Sequence, residues 1–404
     1  MKLKTNLTVL ALAFVLLVIA SCSKMDDYLK YTGGKEMVYT GKVDSVKARS
    51  GRERVVITGL LTSDPNITRV KIFYNQRRDS ILLDISRSLG VDTLNVPVSL
   101  PEGSHNFEII SYDSKGTPSV KVLVTGRSYG ATYQESLFNR VIKNAEKQGN
   151  DVFINLYSGD VASPFTKFTY TDVNDKEKSV LVTNDSSRVV LKNYKSMSKF
   201  RMQTFFLPDT MAIDTFYAAP EMIAVSEDVT SFYIKNSGQP FLRSDNGTGK
   251  WGIIKDWLYT PNVLNQNGNT AGGWSTDGTP KGVIHFESKD WGGEGLTNGK
   301  IYQTFMLAEG KYEMEYYSDG CGGSINSNFV VARGNVLPDI DKLDDQNEVL
   351  GAYRSNENNT AGTHKIEFAL NQPVQVAVGW VVSTGSTTWL HFNYIKLRIV
   401  AELQ

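Results

Sequence analysis

The chain reads as an all-β protein of consecutive sandwiches, and three observations carry that reading. Short runs of alternating apolar and polar residues recur from residue 36 onward, separated by turn residues such as Asp64-Pro65-Asn66 and Asp113-Ser114-Lys115-Gly116. Helical periodicity is scarce. The six tryptophans, Trp251, Trp257, Trp274, Trp291, Trp380 and Trp389, all lie in the C-terminal part, which marks that part as a different kind of domain.

The N-terminus has its own logic. Lys2 and Lys4 precede an apolar stretch from Leu7 to Ala20, which ends in Ile19-Ala20-Ser21-Cys22. These are the parts of a secretory signal peptide, too short and too one-sidedly flanked for a membrane-spanning helix. Cys22 behind small residues resembles the lipobox of bacterial lipoproteins, in which the signal is cut before the cysteine and the cysteine is lipidated. That resemblance implies a signal over residues 1–21, a lipid anchor on Cys22 and a tether over 22–35. Asp26 and Asp27 resemble the acidic export signal of surface lipoproteins, so the expected place is the outer membrane, facing outward.

Composition excludes several functions. The 404 residues carry 43 basic and 43 acidic side chains, so no basic field exists to hold nucleic acid. Only Cys22 and Cys321 are present, which leaves no intramolecular disulfide once Cys22 is acylated. Stability must come from packed cores.

Strands are expected at Val55-Val56-Ile57-Thr58, Val70-Lys71-Ile72-Phe73-Tyr74, Phe107-Glu108-Ile109 and Ser119 to Val124. Echoes of the first three follow at Val152-Phe153-Ile154-Asn155, Thr166-Lys167-Phe168-Thr169-Tyr170 and Phe200-Arg201-Met202, which indicates a duplication. Units of this size, with short strands, frequent turns and no Cys-Trp-Cys framework, predict two fibronectin-III-like members of the immunoglobulin-like class over 36–130 and 131–221. Residues 134–149 could be a short helix, but in the repeat they take the place of a first strand.

A third, larger β-domain is expected over 222–404. It closes in Pro373 to Trp380 and in Leu390 to Ile399, and Trp380 continues the alternation of Val374, Val376 and Val378 toward a core. The run Asn298 to Leu307 followed by Ala308-Glu309-Gly310-Lys311-Tyr312, with the closing Trp389 to Leu397, resembles the galactose-binding-like jelly rolls of many carbohydrate-binding modules. With the lipobox and the paired sandwiches, the chain is similar to Bacteroidetes surface lipoproteins whose C-terminal domain is thought to bind glycan.

That resemblance implies a binding site of tryptophan and polar side chains. Trp274 and Trp291 sit among glycines, Trp389 in a Ser-Thr-Gly-rich stretch, and all three are expected in loops as sugar platforms, with Asn298 or Arg333 as polar partners. Asn326 and Asn328 are further choices. Trp251 and Trp257, flanking Ile253-Ile254, are expected to be structural. Glu313 and Glu315 lie on one strand face and point the same way, unlike a glycosidase pair, which must approach a bond from opposite sides. The histidines have no metal-ligand spacing, and Cys321 has no cysteine-hydrolase motif around it. The acidic run Asp339 to Asp345 has oxygen ligands for a structural calcium but lacks the helix-loop-helix pattern, and a solvated loop is the default.

The expectation is therefore a non-catalytic surface lipoprotein that binds polysaccharide through its third domain. The alternative is a structural or adhesion lipoprotein that grips another envelope protein. A divergent hydrolase would need two opposed carboxylates in one cleft.

Overall fold

In a computed structural model the described residues are 39–62, 64–264, 272–289 and 293–401. The signal, the Cys22 anchor, the 22–35 tether and Trp291 lie outside them.

The first sandwich contains β1 (Asp44–Arg52), β2 (Arg54–Leu61), β3 (Ile67–Tyr74), β4 (Asp79–Asp84), β5 (Asp92–Ser99), β6 (Gly103–Asp113) and β7 (Val122–Tyr129). They pair in the order β4-β3-β6-β7-β1-β2-β5, antiparallel except where β1 meets β7 in parallel at Gly51 and Ser128. Period-two alternation makes one side of each strand apolar, so β1-β2-β5 and β4-β3-β6-β7 close over Val55, Ile57, Val70, Ile72, Leu94, Val96, Phe107 and Ile109.

The second sandwich repeats that wiring. Its strands are β8 (Ile142–Gln148), β9 (Asp151–Leu156), β10 (Phe165–Thr171), β11 (Glu177–Thr183), β12 (Arg188–Leu191), β13 (Lys199–Phe206), β14 (Phe216–Tyr217) and β15 (Glu221–Ala224). They form β12-β9-β8 on one side and β11-β10-β13, with β14 and β15 on the far edge of β13, on the other. Thus β9, β10 and β13 hold the positions of β2, β3 and β6. This three-plus-four arrangement of antiparallel strands is fibronectin-III-like. A five-residue helix, Ala131–Glu135, does precede β8, and β8 takes the first-strand position.

Tyr194 lies in this second core with its hydroxyl donating to the Ser198 carbonyl at 2.7 Å. Burial pushes that hydroxyl up to about 12. An unfolded tyrosine loses its proton near 10, so above that pH the unfolded state binds fewer protons and stability falls until the native group also ionises. The loss is about 2–3 kcal/mol between pH 10 and 12. Urea titrations of wild type and Tyr194→Phe over that range should converge as pH rises. Parallel curves would refute the assignment.

The described residues form two compact units. One unit holds the described residues up to Gln134 together with Pro208–Thr215, and the other holds Glu135–Leu207 and the described residues from Phe216 onward. The excursion 208–215 joins the first unit through polar bonds. Asp209 accepts from Ser50 Oγ at 2.7 Å, Asp214 accepts from the Arg52 amide at 2.7 Å and pairs with Arg54 at 2.7 Å, and the Ile213 amide donates to the Ser50 carbonyl.

Inside the second unit, polar bonds join residues on either side of 221/222. Glu227, buried, accepts from Lys147 Nζ at 3.0 Å and from the Met197 amide at 2.9 Å. Ser226 exchanges backbone bonds with Ala145 and Lys147, and Arg398 reaches Glu146 at 3.1 Å. The second and third sandwiches share this polar seam.

The third region runs through β16 (Glu227–Asp228), β17 (Trp251–Gly252), β18 (Leu258–Tyr259), β19 (Gly273–Ser275), β20 (Val283–Glu287), β21 (Gly299–Leu307), β22 (Gly310–Ser318), β23 (Gly320–Gly322), β24 (Ile325–Arg333), β25 (Val349–Ser355), β26 (Gly362–Leu370), β27 (Val374–Thr384), β28 (Trp389–Phe392) and β29 (Tyr394–Ile399). Two sheets, β16-β29-β22-β26 and β18-β21-β27-β24-β25, enclose a core centred on Trp380, and β17-β19-β20-β28-β23 closes its end with Trp274, Ile284, Phe286, Leu390 and Phe392. The strand-turn-strand of β21 and β22 crosses from one sheet to the other at Ala308-Glu309.

The acidic run is not a free loop. Leu337 and Leu343 cover Val330, Ala332, Ala377 and Val381 on the outer side of β24 and β27. Lys300 Nζ ties the cover down, donating to the Leu337 carbonyl at 2.8 Å and meeting Asp339 at 2.6 Å. Asp344 pairs with Arg354. The oxygens expected for calcium are thus partly used by cations of the chain.

Candidate functional site

Strands β17, β19, β20, β28 and β23 have one apolar and one polar face, as alternation requires. Trp274, Ile284, Phe286, Leu390 and Phe392 point into the core. The opposite face carries Trp251, Ser275, His285, Glu287, Trp389 and His391. Register brings them together: Trp251 lies opposite Ser275, His285 opposite His391, and Glu287 opposite Trp389.

Four rings follow one another across this face. Trp251 and His285 have centroids 4.5 Å apart, His285 and His391 4.8 Å, and His391 and Trp389 4.7 Å. The outer indoles are half-buried, and the inner imidazoles are 1 % and 8 % exposed. Gly322 on β23 makes room for Trp389, because a Cβ there would run into the indole. Lys250 Nζ lies 4.2 Å from the Trp251 ring centre.

Carboxylates surround the histidines. His285 Nε2 donates to Glu287 Oε2 at 2.8 Å, and His391 Nδ1 lies 3.4 Å from Asp319 Oδ1. Asp319 is held by Asn393, which accepts from its amide at 3.0 Å and donates to its Oδ2 at 3.2 Å. Asp277 Oδ2 accepts from Ser275 Oγ at 2.7 Å, pairs with Lys250 at 3.0 Å and lies 3.6 Å from His391 Nε2.

Electrostatics sets the protonation states. Burial dominates at His285 and pushes it down to about 4, against the pull of Glu287, so the ring is neutral at pH 7. For Asp277 burial is the largest influence and would raise it, but the Ser275 hydroxyl and the Lys250 ammonium together hold it below the ordinary carboxylate value. The His391 hydrogen bond does the same for Asp319, against burial.

Among the described residues, Trp389 is the one expected from sequence that stands in this constellation, and it opens β28 instead of lying in a loop. Trp274 is a correction. It belongs to β19 and is buried, its indole N–H donating to the Phe241 carbonyl at 2.8 Å and its ring covered by the Arg243 guanidinium at 4.7 Å. Alternation puts it on the apolar side, which leaves no indole face for a sugar.

Asn298 is likewise a turn residue. At φ 49° its amide donates to Ser383 Oγ and its side-chain oxygen accepts from the Ile340 amide at 3.1 Å. Arg333 is exposed at the end of β24, and Asn328 donates to Asn326. None of these four stands in the ring ladder.

Glu313 and Glu315 bind Lys365 at 2.9 and 3.2 Å, as a solvated sheet face does. Cys321 packs partly on the core and burial raises its thiol, which favours the unreactive protonated form.

Sequence reasoning missed Trp251, Asp277, His285, Glu287, Asp319 and His391. The available signal was the pair of i, i+2 patterns His285-x-Glu287 and Trp389-x-His391, each of which puts two functional side chains on one strand face.

Comparisons with known proteins give families without an assigned activity. No curated protein matches the chain. Among solved structures, the FN1-FN3 domains of chicken CNTN1 are similar at 12 % identity and a TM-score of 0.26, over 46 % of this chain and 67 % of that one. A two-domain fibronectin type III segment of chicken tenascin is similar at 8 % identity and a TM-score of 0.20, over 45 % of this chain and 97 % of that one. Residues 22–216 match DUF4998, a domain of unknown function, and residues 235–379 match DUF5013, a second domain of unknown function.

Proposed function

We propose that the chain is a lipid-anchored outer-membrane protein whose third sandwich binds an extracellular polysaccharide without cleaving it, the first two sandwiches serving as spacer. The observation that carries this reading is the placement of two half-exposed indoles, Trp251 and Trp389, on one polar sheet face beside Lys250, Asp277 and Asp319. A pyranose has an apolar face of C–H bonds that stacks on an indole, while its hydroxyls need charged and amide partners. Trp251 and not Trp274 is the second platform, because a buried indole cannot stack on a ligand.

Affinity electrophoresis of the full chain through gels containing plant, host or bacterial glycans tests it. Retardation by at least one glycan is expected, and Trp251→Ala and Trp389→Ala should each weaken it on the order of tenfold, about 1.4 kcal/mol. Free migration through every glycan would end the reading. Pull-down of a specific envelope protein by the same face, with no glycan retardation, would favour adhesion.

A further inference from the structure

We propose that Asp277, His285 and His391 form a binding site for a zinc-like divalent cation. One oxygen of Asp277 and one nitrogen of each histidine all lie within 4.8 Å of one another. Zinc bonds of ~2.0–2.2 Å in a tetrahedral site would put such donors about 3.3–3.6 Å apart, so the three need close by only about an ångström. His391 Nε2 and Asp277 Oδ2 are already 3.6 Å apart.

Two independent features point to a cation. The first is orphaned lone pairs: His285 Nδ1 and His391 Nε2 are buried and find no hydrogen-bond partner among the described residues. A buried polar atom without a partner is unfavourable, and two such nitrogens in adjoining rings compound that cost. Neither nitrogen is orphaned by chance of tautomer alone. Each ring turns its other nitrogen to a carboxylate, His285 to Glu287 at 2.8 Å and His391 to Asp319 at 3.4 Å. Such carboxylates fix the proton on the far nitrogen and leave the near one as an acceptor, which is the arrangement that orients histidine toward a metal.

The second feature is charge. Asp277, Glu287 and Asp319 gather around two histidines, and the Lys250 ammonium at 3.0 Å from Asp277 offsets part of their charge. The excess negative charge suits a dication, and two imidazoles with one carboxylate are a donor set suited to zinc and its neighbours in preference to calcium or magnesium. The coordinated ion would cross-link β20 and β28 with the turn after β19, under the platform between Trp251 and Trp389.

The proposal stands apart from glycan binding, since the test contains no carbohydrate. Tag-free full-length protein, stripped with chelator, is titrated with Zn2+ by calorimetry and with Co2+ by visible absorption. One equivalent of Zn2+ should bind at micromolar or tighter Kd, raise the tryptophan-detected Tm, and be displaced by chelator. Asp277→Asn should weaken binding at least tenfold, and Glu287→Gln by 10- to 100-fold, whereas Asp341→Asn on the acidic cover should leave it unchanged.

Absence of stoichiometric Zn2+ binding to folded wild type up to millimolar metal would overturn the proposal. So would full affinity in folded His391→Gln. If the histidine variants fail to fold, the half-exposed Asp277→Asn and the wild-type Co2+ spectrum decide, and a spectrum of hexaaquo Co2+ would count as refutation.

Discussion

Replacing Trp380 by alanine should cost the third sandwich about 3–5 kcal/mol. The side chain has no exposed surface, and its ring lies 4.4 Å from Phe392, 5.2 Å from Phe329, 5.7 Å from Trp257 and 5.8 Å from Tyr316. Because all tryptophans of the chain lie in this region, their fluorescence reports its unfolding directly.

The expected result is a lower urea midpoint with little change in slope. Trp380→Phe should cost less than alanine, since Trp380 Nε1 has no partner among the described residues and phenylalanine removes that orphan donor. A loss under about 1 kcal/mol for alanine would mean that this core is not packed as described.

Replacing Arg140 by methionine should cost the second sandwich a similar amount, for a different reason. Arg140 is a buried cation that spends its guanidinium on carbonyls: Nε donates to Tyr157 at 2.7 Å, Nη1 to Thr183 at 2.9 Å and Nη2 to Ser186 at 2.6 Å. It thereby joins the end of β9 to the turn between β11 and β12. Burial lowers its affinity for a proton, and nearby Asp185 offsets part of that.

Methionine keeps the stem but removes a donor from three carbonyls, of which the Thr183 oxygen keeps the Ser186 amide at 3.3 Å, and each donor lost is worth about 1–3 kcal/mol where water cannot replace it. The sum expected is about 3–5 kcal/mol, as when one side of a buried charged network is removed. Arg140→Lys should recover less than half, because an ammonium is a point donor and cannot span the fork that the guanidinium fills. Far-UV circular dichroism in urea reads this, while the tryptophan transition reports the neighbouring sandwich. Stability equal to wild type in Arg140→Met would show that water satisfies those carbonyls.

Much of the fold was legible because a strand writes its period into the chain. Val55 and Ile57, or Val374, Val376, Val378 and Trp380, can face a core only if the residues between them face away, and the structure buries Val55, Ile57, Val376, Val378 and Trp380. The duplication was legible for the same reason. The site was not. Trp274 among glycines and Trp251 beside two isoleucines suggested the reverse of where they lie, Trp274 being buried and Trp251 half-buried on the polar face, since composition around a tryptophan does not say which side of its strand meets the core.

What the sequence determined by itself was local: where strands run, which side of most of them is apolar, and that the tryptophan-rich part differs from the repeat before it. What only the tertiary structure decided was pairing. The register that sets His285 opposite His391, the turn that brings Asp277 beside them, the Asp319–Asn393 exchange and the docking of 208–215 on β1 all join residues far apart in the chain. Alternation repeats every two residues and is the same for any partner strand, so it fixes a face but carries no information about which distant strand will lie alongside.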